Sequence, residues 1–170
     1  MVVTDIDGPA AERVAGELYK LGSDALALAM DVAQEPDVQH MASATVARFG
    51  RIDALINNAA VFISVPLLRV NSIEEMTVEE WDRVMAVNVR GVFLCCRAVA
   101  PQMKAQRSGK IVNISSTTAL QGISGFGPYP VSKAAVMGIT RTLARDLGAH
   151  NIMVNSVAPG GTMSLDDASP

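Results

Sequence analysis

Short apolar runs and segments of helical period alternate five times along this chain, and that alternation constrains the fold more than any single motif. Val2-Val3-Thr4 stops at Asp5, and Gly8-Pro9 opens a helical segment whose Val14, Leu18 and Leu21 share a face until Gly22 ends it. Residues 25–30 form an apolar run suited to a strand covered on both faces, closed by Asp31. From Pro36, Val38, Met41, Ala42, Thr45, Val46 and Phe49 keep helical spacing, and Gly50 stops them. A further short strand spans residues 52–56 and runs into Asn57-Asn58-Ala59-Ala60. Thr77-Val78-Glu79-Glu80 is a capping box that starts a long helix carrying Trp81, Val84, Met85, Asn88, Val89 and Phe93. Gly109-Lys110 leads to a strand over 111–114 and then to Ser115-Ser116. Pro130 suits the first turn of a helix reaching about Gly148, and residues 152–157 are a last strand closed by Pro159-Gly160-Gly161.

Short, apolar, two-sided strands alternating with helices predict an α/β fold: a doubly wound parallel sheet with helices on both faces. No linker, repeat or low-complexity stretch divides residues 1–170, which predicts one domain. Seventeen acidic and fourteen basic residues give a net charge of −3, and the basic ones are scattered, so no nucleic-acid footprint or polybasic membrane anchor is marked. No uninterrupted apolar stretch approaches the ~18 residues of a membrane span, and the run ending in Cys95-Cys96 is broken by Arg97. Met1-Val2-Val3-Thr4-Asp5 lacks the basic and apolar regions of a secretory signal, so a cytoplasmic location is expected. The two cysteines are adjacent within an apolar helical pattern and have no nearby metal ligands, which predicts buried free thiols and no metal site.

In parallel sheets, ligands bind beyond the carboxyl ends of the strands. Here those ends carry Asp5, Asp31, Asn57, Asn58, Ser115, Ser116, Pro159 and Gly160, residue types that also serve ordinary turns. Tyr129 and Lys133, four apart at a helix start, share a face. A phenol with a pKa near ~10 is a poor acid or base at neutral pH, and a neighbouring cation lowers it by ~1 to 3 units. Ser116, at the end of the neighbouring strand, can hold a substrate oxygen beside that phenol. Tyr-x-x-x-Lys taken alone also fits a tyrosine and a lysine stacked on a helix surface.

The full set of motifs narrows this choice. Asn57-Asn58-Ala59-Ala60, Val87-Asn88-Val89, the run from Gly109 to Ser116 (Gly-Lys-Ile-Val-Asn-Ile-Ser-Ser), Tyr129-Pro130-Val131-Ser132-Lys133 and Asn155-Ser156-Val157-Ala158-Pro159-Gly160 resemble the successive motifs of the classical short-chain dehydrogenases/reductases, in that family's order and spacing. The resemblance covers the chain from Met1 to about Ser164 and implies a Rossmann-like fold. It implies an oxidoreductase interconverting a secondary alcohol and a ketone, in the style of 3-oxoacyl reductases and related alcohol or sugar dehydrogenases. Tyr129 is then the acid/base, Ser116 the partner of the substrate oxygen, and Lys133 both lowers the Tyr129 pKa and binds the nicotinamide ribose. Asn88 matches the residue holding a water in the proton relay to that lysine, although a polar residue capping a local helix distortion would look the same.

On the cofactor side, Asp5 matches the acidic residue on the adenosine ribose, which implies NAD over NADP, since no Arg or Lys stands beside it. Asp31-Val32 resembles the pair beside the adenine, Asn58-Ala59 the contacts near the ribose, and Pro159-Gly160 with Thr162 the loop over the nicotinamide. Ala60 stands where the family usually has Gly, and Ser164 where it has Thr. The family's first strand and its glycine-rich pyrophosphate turn have no counterpart in the chain, nor does its last strand, so the expected molecule is a fragment of a protein of roughly 250 residues. Without the central first strand, its two neighbours are expected to lack a partner. A catalytically silent Rossmann-like fragment or scaffold, with weak or no cofactor binding, is the rival expectation. The long helices from Thr77 and Pro130, with Trp81, Ala134, Ala135, Met137 and Gly138, resemble the family's dimer-forming pair and imply a homodimer or homotetramer. The loop after Asn58 is only generically apolar (Val61, Phe62, Ile63, Val65, Leu67 and Leu68) and names no substrate.

Overall fold

The computed structural model describes residues 1–62, 73–123, 125 and 127–161. Their elements run β1 (Val2–Asp5), α1 (Gly8–Lys20), β2 (Leu26–Ala29), α2 (Glu35–Phe49), β3 (Ala54–Asn57), a 3-10 turn (Ile73–Glu75), α3 (Val78–Met85), a π-helical turn (Ala86–Gly91), α4 (Val92–Gln106), β4 (Gly109–Ile114), α5 (Thr118–Gln121), α6 (Tyr129–Gly148) and β5 (Ile152–Val157). All pairings are parallel, and the alternation read from the sequence is an α/β Rossmann-like arrangement. The expected capping box is present: the Glu80 amide donates to Thr77 Oγ1 and the Thr77 amide to Glu80 Oε2, both at 3.1 Å.

The strands form two sheets, β1-β2 and β3-β4-β5. Between them lies a cleft of about 980 Å³, lined by β1 from Met1 to Asp5 and by β3 with its flanks from Arg51 to Ala60. β1 and β3, expected to lack a partner between them, do not pair with each other.

Three differences from the sequence reading have simple physical causes. Helix α1 buries Ala11 and Ala15 rather than Val14 and Leu21, which are exposed. Small side chains let this helix lie close to its sheet: a Cβ on Gly8 would come within 3.1 Å of the Ala29 Cβ. Covered strands are found only in part, because α4 and α6 pack against β4 on one face, where Ile111 and Asn113 are buried, while Ile56 and Met153 stay 64% and 53% exposed. The helix from Thr77 is interrupted by the π-helical turn, which inserts one residue into the hydrogen-bond repeat. From Val78 to Gln106 the helical stretch is long and apolar enough to span a bilayer, yet Val84, Val92, Leu94, Cys95, Cys96, Val99 and Met103 bury it in the core.

Both thiols are free and buried in this helix. Burial pushes Cys95 up to about 11; burial also pushes Cys96 up to about 12, against a lowering hydrogen bond from Asn57. A thiol whose folded pKa is raised stabilises the fold fully below its unfolded value near 9.0, and that contribution is lost as pH rises through the folded values. Urea unfolding from pH 8 upward should therefore show the wild type losing stability above pH 9 faster than Cys95→Ala/Cys96→Ala, by up to ~1.4 kcal/mol per pH unit for each thiol. Parallel profiles would contradict the buried-thiol assignment.

Candidate active site

Because all the strands run parallel, the carboxyl ends of each sheet emerge at one edge. Asp5 ends β1, and its Oδ1 accepts the Asp7 amide at 2.9 Å. Asp7 Oδ1 in turn accepts the Ala10 amide at 3.2 Å as the N-cap of α1. Asp31 follows β2; its Oδ1 accepts the Ala33 amide at 2.9 Å, and its own amide donates to Asp37 Oδ2 at 3.0 Å. Asp5, Asp31, Val32, Asn58 and Ala59 all line the 980 Å³ cleft. A carboxylate, an apolar wall and a turn of small residues in one cleft fit the adenosine half of a nicotinamide dinucleotide. Among the described residues no glycine-rich turn faces that cleft to take a pyrophosphate.

The second cluster gathers around the start of α6. Pro130 presets the first helical turn, with Tyr129 as its opening residue and Lys133 one turn on. Lys133 is only 3% exposed, its Nζ donates to the Ile114 carbonyl at 2.8 Å, and burial lowers its pKa. Ser115 Oγ donates to the Lys133 carbonyl at 2.8 Å. These two bonds fasten the end of β4, where Ser116 follows, to the first turns of α6. Ser116 Oγ accepts from the Thr118 amide at 3.2 Å and from Thr118 Oγ1 at 2.9 Å. Lys133 Nζ lies 5.5 Å from the centroid of the Tyr129 ring. Pro159 is brought alongside by its carbonyl, which accepts the Thr117 amide at 3.0 Å, and a Cβ on Gly160 would lie 3.9 Å from Thr117 Oγ1. Thr162 and Ser164 lie outside the described residues.

Asn88 is 1% exposed and sits within the π-helical turn, the local distortion that its position allowed. Its Oδ1 accepts the Val61 amide at 2.7 Å, and its Nδ2 donates to the Val61 carbonyl at 3.1 Å and to Ser132 Oγ at 3.0 Å. Ser132 Oγ donates onward to the Tyr129 carbonyl at 2.7 Å. A single side chain thus ties the loop after β3 to the first turn of α6. Sequence reasoning missed Ser132 and the Phe62 ring, whose centroid lies 4.9 Å from that of Tyr129 at an interplanar angle of 82°. The one available signal for Ser132 was its place inside the Tyr-Pro-Val-Ser-Lys motif.

A family model described as short chain dehydrogenase matches residues 1–166. A 3-oxoacyl-[acyl-carrier-protein] reductase of Synechocystis sp. is 39% identical over 151 residues, which are 89% of this chain and 59% of that protein. The reductase of the same name from Staphylococcus epidermidis is 40% identical over 154 residues, 91% of this chain and 61% of that one. The chain therefore spans about three fifths of the length of these curated relatives. Among solved structures, a gluconate 5-dehydrogenase from Burkholderia cenocepacia, in complex with NADP and tartrate, superposes with a TM-score of 0.86 at 31% identity, covering 96% of this chain and 62% of that one. An NAD+-bound xylitol dehydrogenase gives a TM-score of 0.86 at 31% identity, covering 95% of this chain and 61% of that one.

The clamp from Asn88 to Val61 can be tested directly. Replacing Asn88 by Ala removes both bonds to Val61, each worth about 1 kcal/mol, so hydrogen exchange at the Val61 amide should speed up at least about tenfold while Ile111 in β4 keeps its protection. Unchanged exchange at Val61 would sink the clamp.

Proposed function

Since the chain belongs to the short-chain dehydrogenases, we propose that it interconverts a secondary alcohol and a ketone with NAD, using Tyr129 as the acid/base. The observation that carries this reading is the pair of bonds that fastens Lys133, one turn after Tyr129, to the end of β4, which Ser116 follows. When bound, a nicotinamide cofactor supplies or accepts the hydride. In reduction, Tyr129 Oη gives its proton to the carbonyl oxygen, and in oxidation it takes the proton back from the alcohol. Ser116, which accepts both bonds from Thr118, keeps its own hydroxyl proton for the same substrate oxygen. Lys133 places its ammonium beside the Tyr129 ring, 5.5 Å from the ring centroid.

Asp31, Val32, Asn58 and Ala59 would hold the adenosine side of the cofactor, and Pro159-Gly160 would cover its nicotinamide. Asp5 lines the cleft with a carboxylate that disfavours a 2′-phosphate, which supports NAD over NADP. Exposed Trp81 and Phe93 on the helix from Thr77 and exposed Val131 on α6 support association of copies through these helices. The divided sheet favours one second reading, a chain that keeps the catalytic residues but holds no cofactor.

Tyr129→Phe should lower ketone reduction by ~10²- to 10⁴-fold in a steady-state assay and leave NADH affinity, measured by fluorescence titration, within about twofold. Retained turnover would refute the role of Tyr129, and no NADH binding to the wild type would establish the second reading instead. Asp5→Ser should shift the ratio of NADP to NAD efficiency upward by about tenfold or more, a difference of ~1.4 kcal/mol. An unchanged ratio would remove Asp5 from cofactor selection.

A further inference from the structure

Phe62 stands out among the exposed apolar residues because it touches the central residue of the site. Its ring meets that of Tyr129 edge to face, with centroids 4.9 Å apart and planes at 82°, the geometry that aromatic quadrupoles favour. The contact is built on a rigid frame. Val61, the preceding residue, is held at both backbone groups by Asn88, and Asn88 holds Ser132, which holds the Tyr129 carbonyl. Phe62 and Tyr129 are therefore hung from the same buried side chain, one from each arm.

Despite this anchoring, Phe62 remains 53% exposed. A half-exposed aromatic ring in contact with the Tyr129 ring gives an arriving ligand an apolar wall next to a polar group. We propose that Phe62 is both the positioning residue for the Tyr129 ring and the specificity determinant of the site, selecting a ketone whose substituent is an extended apolar chain over one bearing several hydroxyls. An alkyl or acyl chain laid on this ring removes apolar surface from water. A polyol chain in the same place gives up hydrogen bonds to water and gains none from the ring. The inference rests on Tyr129 as the proton donor, and it divides two kinds of substrate named among the similar proteins, 3-oxoacyl groups and sugar derivatives.

The chain has two tyrosines, Tyr19 and Tyr129, so ring signals from tyrosine-labelled protein report on Tyr129 with Tyr19 as an internal reference. The experiment compares the wild type with Phe62→Leu and Phe62→Ser in the full chain. By NMR, the Tyr129 ring resonances should lose their ring-current shift in both variants while those of Tyr19 stay in place. In steady-state assays with a 3-oxoacyl thioester and with a ketogluconate, the wild type should favour the thioester. Phe62→Leu should keep that preference and lower kcat by about three- to tenfold, as the ring is held less well. Phe62→Ser should raise the thioester KM and cut the preference by about tenfold or more. A Tyr129 signal unmoved in both variants overturns the contact whatever the activity. A preference for the ketogluconate, or one unaffected by Phe62→Ser, overturns the specificity role. Absence of turnover with the ring-current shift intact refutes Tyr129 as proton donor, and the substrate class with it, while the positioning contact stands.

Discussion

Strand β4 is hydrogen-bonded along both edges, to β3 and to β5, and the groups around Tyr129 take their places from it. Its asparagine, Asn113, is fully buried; Asn57 Nδ2 on β3 donates to Asn113 Oδ1 at 2.8 Å, and Asn113 Nδ2 donates to Thr140 Oγ1 on α6 at 2.9 Å. Asn57 Nδ2 also reaches Cys96 Sγ on α4 at 3.4 Å, and Thr140 Oγ1 passes its own hydrogen to the Val136 carbonyl. An apolar core of branched side chains tolerates small slides between strands, but a chain of buried amides is satisfied in one register only. Helix α6 is thus fixed to β4 at Thr140 and again two turns earlier at Lys133, and Tyr129 stands one turn before that. Because the polar ladder sets the register, it also sets where the first turn of α6, with Tyr129, stands relative to the end of β4.

The other half of the molecule is attached differently. β1 and β2 pair only with each other and are covered by α1. They reach the three-stranded part through α2, through Val32 packed against Gly91, and through polar contacts of Arg90 with the Ala33 carbonyl and of Arg97 with Glu35. A Cβ at Gly91 would meet Val32 Cγ2 at 2.8 Å, so this junction in the π-helical turn depends on the absence of a side chain. β1 and β3 line one cleft and make no ladder bonds to each other, so the two sheets are joined through helices and these few contacts. Asp5, Asp31 and Asn58 line this cleft, so whatever stabilises it also orders these residues relative to Tyr129.

Period and punctuation in the sequence located the five strands and the principal helices, because helix starts and stops here follow local rules such as the Thr77 capping box and Gly50 in the left-handed conformation after α2. The partnerless edges of β1 and β3 were legible too, from a missing motif. The buried face of α1 was not: hydropathy weighted Val14 and Leu21, whereas close approach to the sheet selected Ala11 and Ala15. The site residues of α6 and β4 were legible as a linear pattern, but their connections were not, since bonds from Asn88 to Val61 and from Lys133 to Ile114 join positions far apart in the chain through buried atoms. Phe62 lay in a stretch that looked merely apolar; only the pairing of its neighbour with Asn88 gives it a place.

That pairing also limits what Asn88 can do. A side-chain amide has two N–H donors, and both are spent here, one on the Val61 carbonyl and one on Ser132 Oγ. Its Oδ1 already accepts the Val61 amide and has a single lone pair to spare. A water bridging Asn88 to Lys133 can therefore only donate to Asn88, either at that lone pair or at a backbone carbonyl in the π-helical turn, where the usual helical repeat is broken. The Lys133 ammonium is itself a pure donor, already giving one hydrogen to Ile114, so such a water would accept from Lys133 and donate toward Asn88. Hydrogen-bond donation through such a water would run from Lys133 toward Asn88, since Lys133 has no acceptor to offer and Asn88 no N–H left to give.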